Sequence, residues 1–182
     1  MPDFITSMLA DFTLIGDAAI AFFIAVTVAS FFSKNTRKFR DRLFSRLSKH
    51  ATAFAFAVAL ASTLFSIYYS EIAHYEPCRL CWYQRIMMFP QAILLGIALF
   101  RKDKGIFSYI VPMSVIGAAI AAYHYLIQVT DLSVACSATS VSCSSSPFFA
   151  YGFITIPFMA LTGFLLITTA GLINLIERVK TK

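Results

Sequence analysis

Five separated runs of about 20 apolar residues constrain this chain more than any other feature. A hydrocarbon layer about 30 Å thick is crossed by roughly that many helical residues, each rising about 1.5 Å. The runs cover residues 12–32, 51–69, 82–100, 106–128 and 148–176 of the 182. Asp17 interrupts the first and Arg85 stands near the start of the third; the others hold no formal charge apart from His124 if protonated. Backbone polar groups inside lipid must find partners within their own segment, so runs of this length predict helices and an all-α membrane protein. The 59% hydrophobic content and mean hydropathy of +0.75 agree with that reading.

Lys and Arg outnumber Asp and Glu by 15 to 9, yet the bases do not form the continuous face that a nucleic-acid partner would need. They fall between the runs, where they report topology. Lys34, Arg37, Lys38, Arg40, Arg42, Arg46 and Lys49 separate the first two runs; Arg101, Lys102 and Lys104 separate the third and fourth; Arg178, Lys180 and Lys182 follow the fifth. These segments, and with them the C-terminus, are expected in the cytoplasm. The N-terminus with Asp3 and Asp11, residues 71–81 and residues 129–147 then lie outside, and all four cysteines with them. No base precedes Lys34, which favours a retained helix over a cleaved signal peptide for the first run.

The polar stretch 34–50 repeats Phe39, Leu43, Phe44 and Leu47 at helical spacing, the pattern of a helix lying on the membrane lipid. Its simplest role is a topology-setting connector. Residues 129–147 are rich in Ser, Thr and Ala and bury little apolar surface. Pro157 suits a first helical turn, so the last helix is expected to begin near Ile156, and Pro112 is expected to bend the fourth helix. No internal repeat or phosphate-binding glycine loop is present. The chain divides into residues 1–50, an extra helix with its basic connector, and residues 51–182, which carry the cysteines.

Cys78-Arg79-Leu80-Cys81 is a C-x-x-C pair where an outer loop enters a helix, a spacing that closes into a small, reducible disulfide. Pro77 precedes it, so Cys81 is expected in the first helical turn, where the N–H groups and helix dipole lower a thiol pKa. Arg85, one turn deeper on the same face, either steadies negative charge at the site or snorkels to lipid phosphate. Cys136 and Cys143 suit a disulfide, but in an oxidising compartment a purely structural bridge is an equal reading of that pair alone. Together, a labile pair at the membrane surface and a second pair in a polar loop can pass electrons by thiol exchange. A lipid-soluble acceptor such as a quinone would remove them from the pair beside the helix.

Cys78-Arg79-Leu80-Cys81-Trp82-Tyr83-Gln84-Arg85 resembles the C-x-x-C-W/I-Y-Q/E-R signature of the DsbB/BdbC disulfide-bond oxidoreductases. The similarity runs from about Ala51 to Ile176, through His124-Tyr125-Leu126-Ile127-Gln128 and Gly152-Phe153-Ile154-Thr155-Ile156-Pro157. It implies a DsbB-like four-helix transmembrane bundle in a bacterial cytoplasmic membrane, here with one additional N-terminal transmembrane helix. It further implies that Cys136 and Cys143 oxidise a soluble, thioredoxin-fold DsbA-like partner and pass electrons to Cys78 and Cys81. Cys81 is then the thiol nearest a quinone, ubiquinone or menaquinone, with Arg85 polarising the ring and His124 and Gln128 beside it. His124 can instead serve as an interfacial hydrogen-bonding group, and Trp82, Tyr83, Phe148 and Phe149 suit an aromatic belt.

Two departures stand out. The family core has four spans, so the resemblance assigns no role to residues 12–32, and the Cys136–Cys143 loop is as compact as in the shorter Gram-positive-type members. Vitamin K epoxide reductases also combine four helices, a C-x-x-C pair and a quinone, but there the loop cysteines precede the C-x-x-C. Competing readings are a transporter subunit or assembly factor with two structural disulfides, and an external zinc site using all four cysteines. The redox reading itself requires no metal.

Overall fold

A computed structural model describes residues 4–103, 105–130 and 142–180. It contains α1 (Phe4–Phe32), α2 (Lys34–Ser48), α3 (Ala51–Glu71), α4 (Arg79–Arg101), α5 (Phe107–Thr130) and α6 (Ile156–Lys180). Among the described residues there is no strand, only an isolated bridge between Ala150 and Ile154. All helices except α2 are long and apolar enough to cross a membrane, as the five runs require.

The boundaries follow local chemistry. α6 starts at Ile156 because Pro157 fits a first turn, and the aromatic residues before it form a turn instead, with Tyr151 at φ 51° and Gly152 at φ 82°. α4 ends where Lys102 enters the left-handed region and its N–H bonds back to Ala98 and Leu99. Pro90 and Pro112 both sit inside continuous helices, each leaving the carbonyl four residues earlier without its usual donor.

α3 to α6 close a ring in which each helix packs on its sequence neighbour and α6 returns to α3. Small residues set the spacing. Ala51, Ala55 and Ala59 recur every fourth residue along the buried face of α3. A Cβ at Gly117 would overlap the Phe164 ring, and one at Gly171 would overlap Val111, so these glycines let α5 and α6 approach closely. Ser114 donates to Gln91 Oε1 at 2.6 Å, a fully buried polar link between α5 and α4. Large apolar side chains such as Ile93, Ile97, Ile116 and Leu126 point outward, as a lipid-facing surface requires.

α1 stands outside this ring. It packs along α6, where Gly16 meets Thr162 and Leu166 and Thr162 donates to Asp17 Oδ1 at 2.7 Å. An intramembrane carboxylate is thereby given a partner. α2 folds under the bundle, burying Phe44 against Phe23. Lys180 bonds Asp41 at 2.9 Å, with Arg40 alongside, and holds that carboxyl below the usual carboxylate range. Asn174 donates to the Ser48 carbonyl. α2 and the end of α6 therefore share one end of the bundle, and the connector at Gly105 lies beside Arg178 there. Cys78 and Cys143 cluster at the other end.

Candidate active site

Pro77 cannot supply a helical N–H, and Cys78 takes an extended conformation (φ −71°, ψ 172°) as the N-cap of α4. One turn of helix then returns Cys81 to the same face, with the two Sγ atoms 3.3 Å apart. Both are free thiols, Cys78 buried and Cys81 partly so. Cys143 is buried and disulfide-bonded. Cys136 lies outside the described residues.

α5 delivers His124 between Cys78 and Cys143, with only 1% of its surface exposed. Its Nε2 lies 3.2 Å from the Cys143 carbonyl and 3.5 Å from Cys78 Sγ, while Nδ1 lies 3.0 Å from Gln84 Nε2. These contacts assign the tautomer. The Gln84 amide can only donate through nitrogen, so Nδ1 accepts; Nε2 then carries the proton and donates to the Cys143 carbonyl and the Cys78 sulfur. His124 is thus an interior hydrogen-bonding group, not the interfacial one that its flanking tyrosines suggested.

The Cys78 thiol is pulled from its ordinary value of 9.0 down to about 4, chiefly by a hydrogen bond from Cys81 and secondarily by His124, against the opposing effect of burial. The expectation that Cys81 would be the stabilised thiolate is therefore corrected: the donors converge on Cys78. Position explains the exchange. Cys78 occupies the N-cap, where Cys81 and His124 both reach its sulfur, whereas Cys81 sits in the first turn and acts as donor to it.

Arg85 is held by α3: Nε donates to Ser66 Oγ at 3.0 Å and Nη2 to the Ser66 carbonyl at 2.9 Å. Its guanidinium also lies over the Trp82 ring, 5.2 Å from the centroid. Gln128 donates to the Ser145 carbonyl at 3.3 Å, and its buried Oε1 has no partner among the described residues. Cys81, Arg85, His124 and Gln128 all line one cavity of about 840 Å³, which continues between α1, α3 and α6 among mostly apolar side chains.

The structure brings Cys78, Cys81 and His124 into contact and sets Arg85 and Gln128 on the same cavity wall. Sequence reasoning passed over Gln84 and Ser66. Gln84 stood in plain view inside the Cys78–Arg85 motif; Ser66, an unremarkable serine in an apolar run, gave no signal. A four-cysteine zinc site is not formed here, because the Cys143 sulfur is already in a disulfide. Cys78, Cys81 and His124 offer two sulfurs and a ring nitrogen within 4.8 Å of one another, a set that could hold a soft ion while both thiols are reduced.

The model of one protein family, disulfide bond formation protein DsbB, matches residues 48–174. A probable disulfide formation protein C 1 of Bacillus anthracis is 46% identical over 127 residues, covering 69% of this chain and 91% of the relative. The disulfide bond formation protein C of Bacillus subtilis (strain 168) is 47% identical over 115 residues, 62% of this chain and 83% of the relative. A probable disulfide formation protein of Coxiella burnetii is 38% identical over 130 residues, 69% and 88%. No solved structure matches the chain. With its five spans and its paired cysteines at one end of the bundle, this chain belongs to the DsbB family of membrane disulfide bond formation proteins.

Proposed function

We propose that the chain is a protein-disulfide:quinone oxidoreductase of the bacterial cytoplasmic membrane. In this reading the N-terminus and the cysteine loops face outward and the C-terminus faces the cytoplasm, in keeping with the basic segments gathered at the opposite end. Cys136 and Cys143 oxidise a soluble, thioredoxin-fold DsbA-like protein, and Cys78 and Cys81 receive the electrons. Residues 51–182 form the redox domain; residues 1–50 add α1 and its connector. The observation that carries the reading is a free dithiol beside a disulfide-bonded cysteine, opening onto an apolar cavity that reaches into the membrane span.

The residues suit a quinone. The apolar cavity would take its ring and chain, and Gln128 Oε1, unpartnered among the described residues, and the Arg85 guanidinium offer polar groups at its cysteine end. Cys81, Arg85, His124 and Gln128 would hold the ring. The quinone supplies a two-electron acceptor within the bilayer. On the protein side, Cys78 is ionised at neutral pH, so closing the Cys78–Cys81 bond would release one proton, from Cys81, together with the two electrons that pass to the acceptor. The sulfurs, 3.3 Å apart, must draw together by about 1.3 Å to reach disulfide length. Arg85 offsets negative charge that arrives at the cavity, while its fork on Ser66 keeps it from swinging to lipid phosphate. Before this step, exchange with the loop pair requires a thiolate, and His124 holds the Cys143 backbone against the Cys78 sulfur.

The test is quinone reduction by the purified protein with a reduced thioredoxin-fold donor, comparing wild type with Cys81→Ser and Cys136→Ser. Turnover in wild type and its loss in both variants is the expected result. A wild type that reduces no quinone with such a donor, yet stays folded, would overturn the reading.

A further inference from the structure

The family match starts at residue 48, so α1 lies wholly before it. The cavity at the cysteines nevertheless has α1 as one of its walls. α1 packs along α6 but, among the described residues, its backbone makes no close approach to α3. The gap between α1 and α3 is the deeper part of the cavity. Leu9, Phe12, Gly16 and Ala19 line it from α1, and Ala57 and Ala61 face them from α3.

Three features make this a built wall. The lining positions of α1 recur at three- and four-residue spacing, giving one continuous stripe about 15 Å long at 1.5 Å per residue. α1 is fixed at several heights: Tyr69 donates to Thr6 at 3.3 Å, Tyr151 to Asp11 at 2.6 Å and Thr162 to Asp17 at 2.7 Å. Gly16 brings it so close to α6 that an added Cβ would lie 3.0 Å from Thr162. Small residues on both sides then keep the space open, and its charged and amide side chains gather at the cysteine end, with only the hydroxyls of Thr13, Ser62 and Thr162 deeper in the lining. A volume of about 840 Å³ is near the top of the roughly 300–1,000 Å³ range of sites that enclose a whole ligand, more than a single ring needs.

We infer that α1 forms the lateral wall of a chamber for the isoprenoid chain of the acceptor, continuous with the ring site at Cys81 and Arg85. The inference rests on the quinone reading above. Without α1 the face between α3 and α6 would open to bulk lipid, where a chain gains nothing over its surroundings. With α1 the chain is enclosed in contact with fixed side chains, so the protein favours tailed over tail-less quinones of the same ring.

Trp82 is the only tryptophan and lies beside Arg85, so a ring bound there quenches its fluorescence. Binding is titrated in detergent with both cysteine pairs oxidised, so that no turnover occurs, using a quinone with several isoprene units and one with none. The quantity read is the ratio of the two dissociation constants. Ala19→Phe, which fills the chamber from α1, should cut the wild-type preference for the tailed quinone about tenfold. Ala57→Leu should do the same from the opposite wall. Leu14→Phe, on α1 but away from the chamber, should keep the wild-type ratio. Equal ratios in wild type, Ala19→Phe and Ala57→Leu would overturn the inference and leave the quinone reading standing, the chamber then holding lipid chains. If neither quinone quenches Trp82 and none is reduced, the quinone reading fails and this inference fails with it.

Discussion

The position of His124 yields a sharp prediction about the Cys78 thiolate. A hydrogen bond to a charged group contributes about 1.5–3 kcal/mol, and the His124 bond is long at 3.5 Å and shared with the Cys143 carbonyl, so the lower figure applies. Since one pH unit corresponds to about 1.4 kcal/mol, His124→Phe should raise the Cys78 pKa from about 4 to about 5. Cys81, the larger contributor, is untouched and keeps the thiol well below its ordinary value. The assay is the pH dependence of alkylation of the reduced protein, with mass spectrometry locating the adduct on Cys78. Wild type should react at a constant rate above about pH 5 and slow as pH falls through about 4; His124→Phe should show the same curve displaced upward by about one unit. At pH 7 the two should react alike, because Cys78 is ionised in both. A midpoint unmoved by the substitution would refute the donor role of Nε2. A midpoint near the ordinary thiol range, about 8.5, would refute the primacy of Cys81.

The same shift links pH to stability of the reduced protein. Cys78 has a folded pKa far below its unfolded value, so the unfolded state binds more protons between the two. The contribution of the ionised thiol is therefore complete above the unfolded value near 9.0 and is lost as pH falls toward about 4.

Ser66→Ala removes one of the two acceptors of Arg85 and should lower stability by about 1–2 kcal/mol, seen as an earlier thermal transition in detergent; an unchanged transition would show that the Ser66 hydroxyl does not help to hold Arg85. Gly117→Val drives a side chain into the Phe164 ring and should cost about 1–3 kcal/mol, with partial recovery when Phe164→Ala is added; no loss would mean that α5 and α6 are not tightly apposed. A reporter active only in the cytoplasm, fused after Lys182, should be active, whereas the same reporter inserted among residues 131–141 should not; the reverse pattern would invert the proposed topology.

The parts of this fold that could be read in the sequence are those set by short-range rules. Span length and apolar content located five membrane helices, Pro157 placed the start of α6 at Ile156, and Pro77 before the C-x-x-C put Cys81 in a first turn. What escaped depends on where one helix meets another. For His124 the flanking Tyr123 and Tyr125 left an interfacial role as open as a place in the site, and only the packing of α5 turns it inward to Gln84 and Cys143. Ser66 became the seat of Arg85 only through the packing of α3 on α4. The thiolate moved from Cys81 to Cys78 for the same reason: a helix-dipole argument weighs one element, whereas donors from two elements decide the outcome.

The location of the dithiol reconciles two solvent demands that conflict. A nucleophilic thiolate needs donors and a polar setting, since an unpaired charge is costly in hydrocarbon. An acceptor that diffuses in lipid needs an apolar path. Under the proposed function, an N-cap at the end of a membrane helix meets both, because Cys78 collects its hydrogen bonds from Cys81 and His124, while both sulfurs border the apolar cavity, Cys81 one turn further along α4. The two sulfurs, 3.3 Å apart, are close enough to share a proton and to close a disulfide, so in the proposed reading the two electrons released would leave through the apolar half without any sulfur crossing the boundary. Arg85 brings a charge into the wall of that cavity, and its attachment to Ser66 fixes it there. A lysine there would keep the charge but lose the planar fork that locks it, which is why Arg85→Lys is not a conservative change at this site.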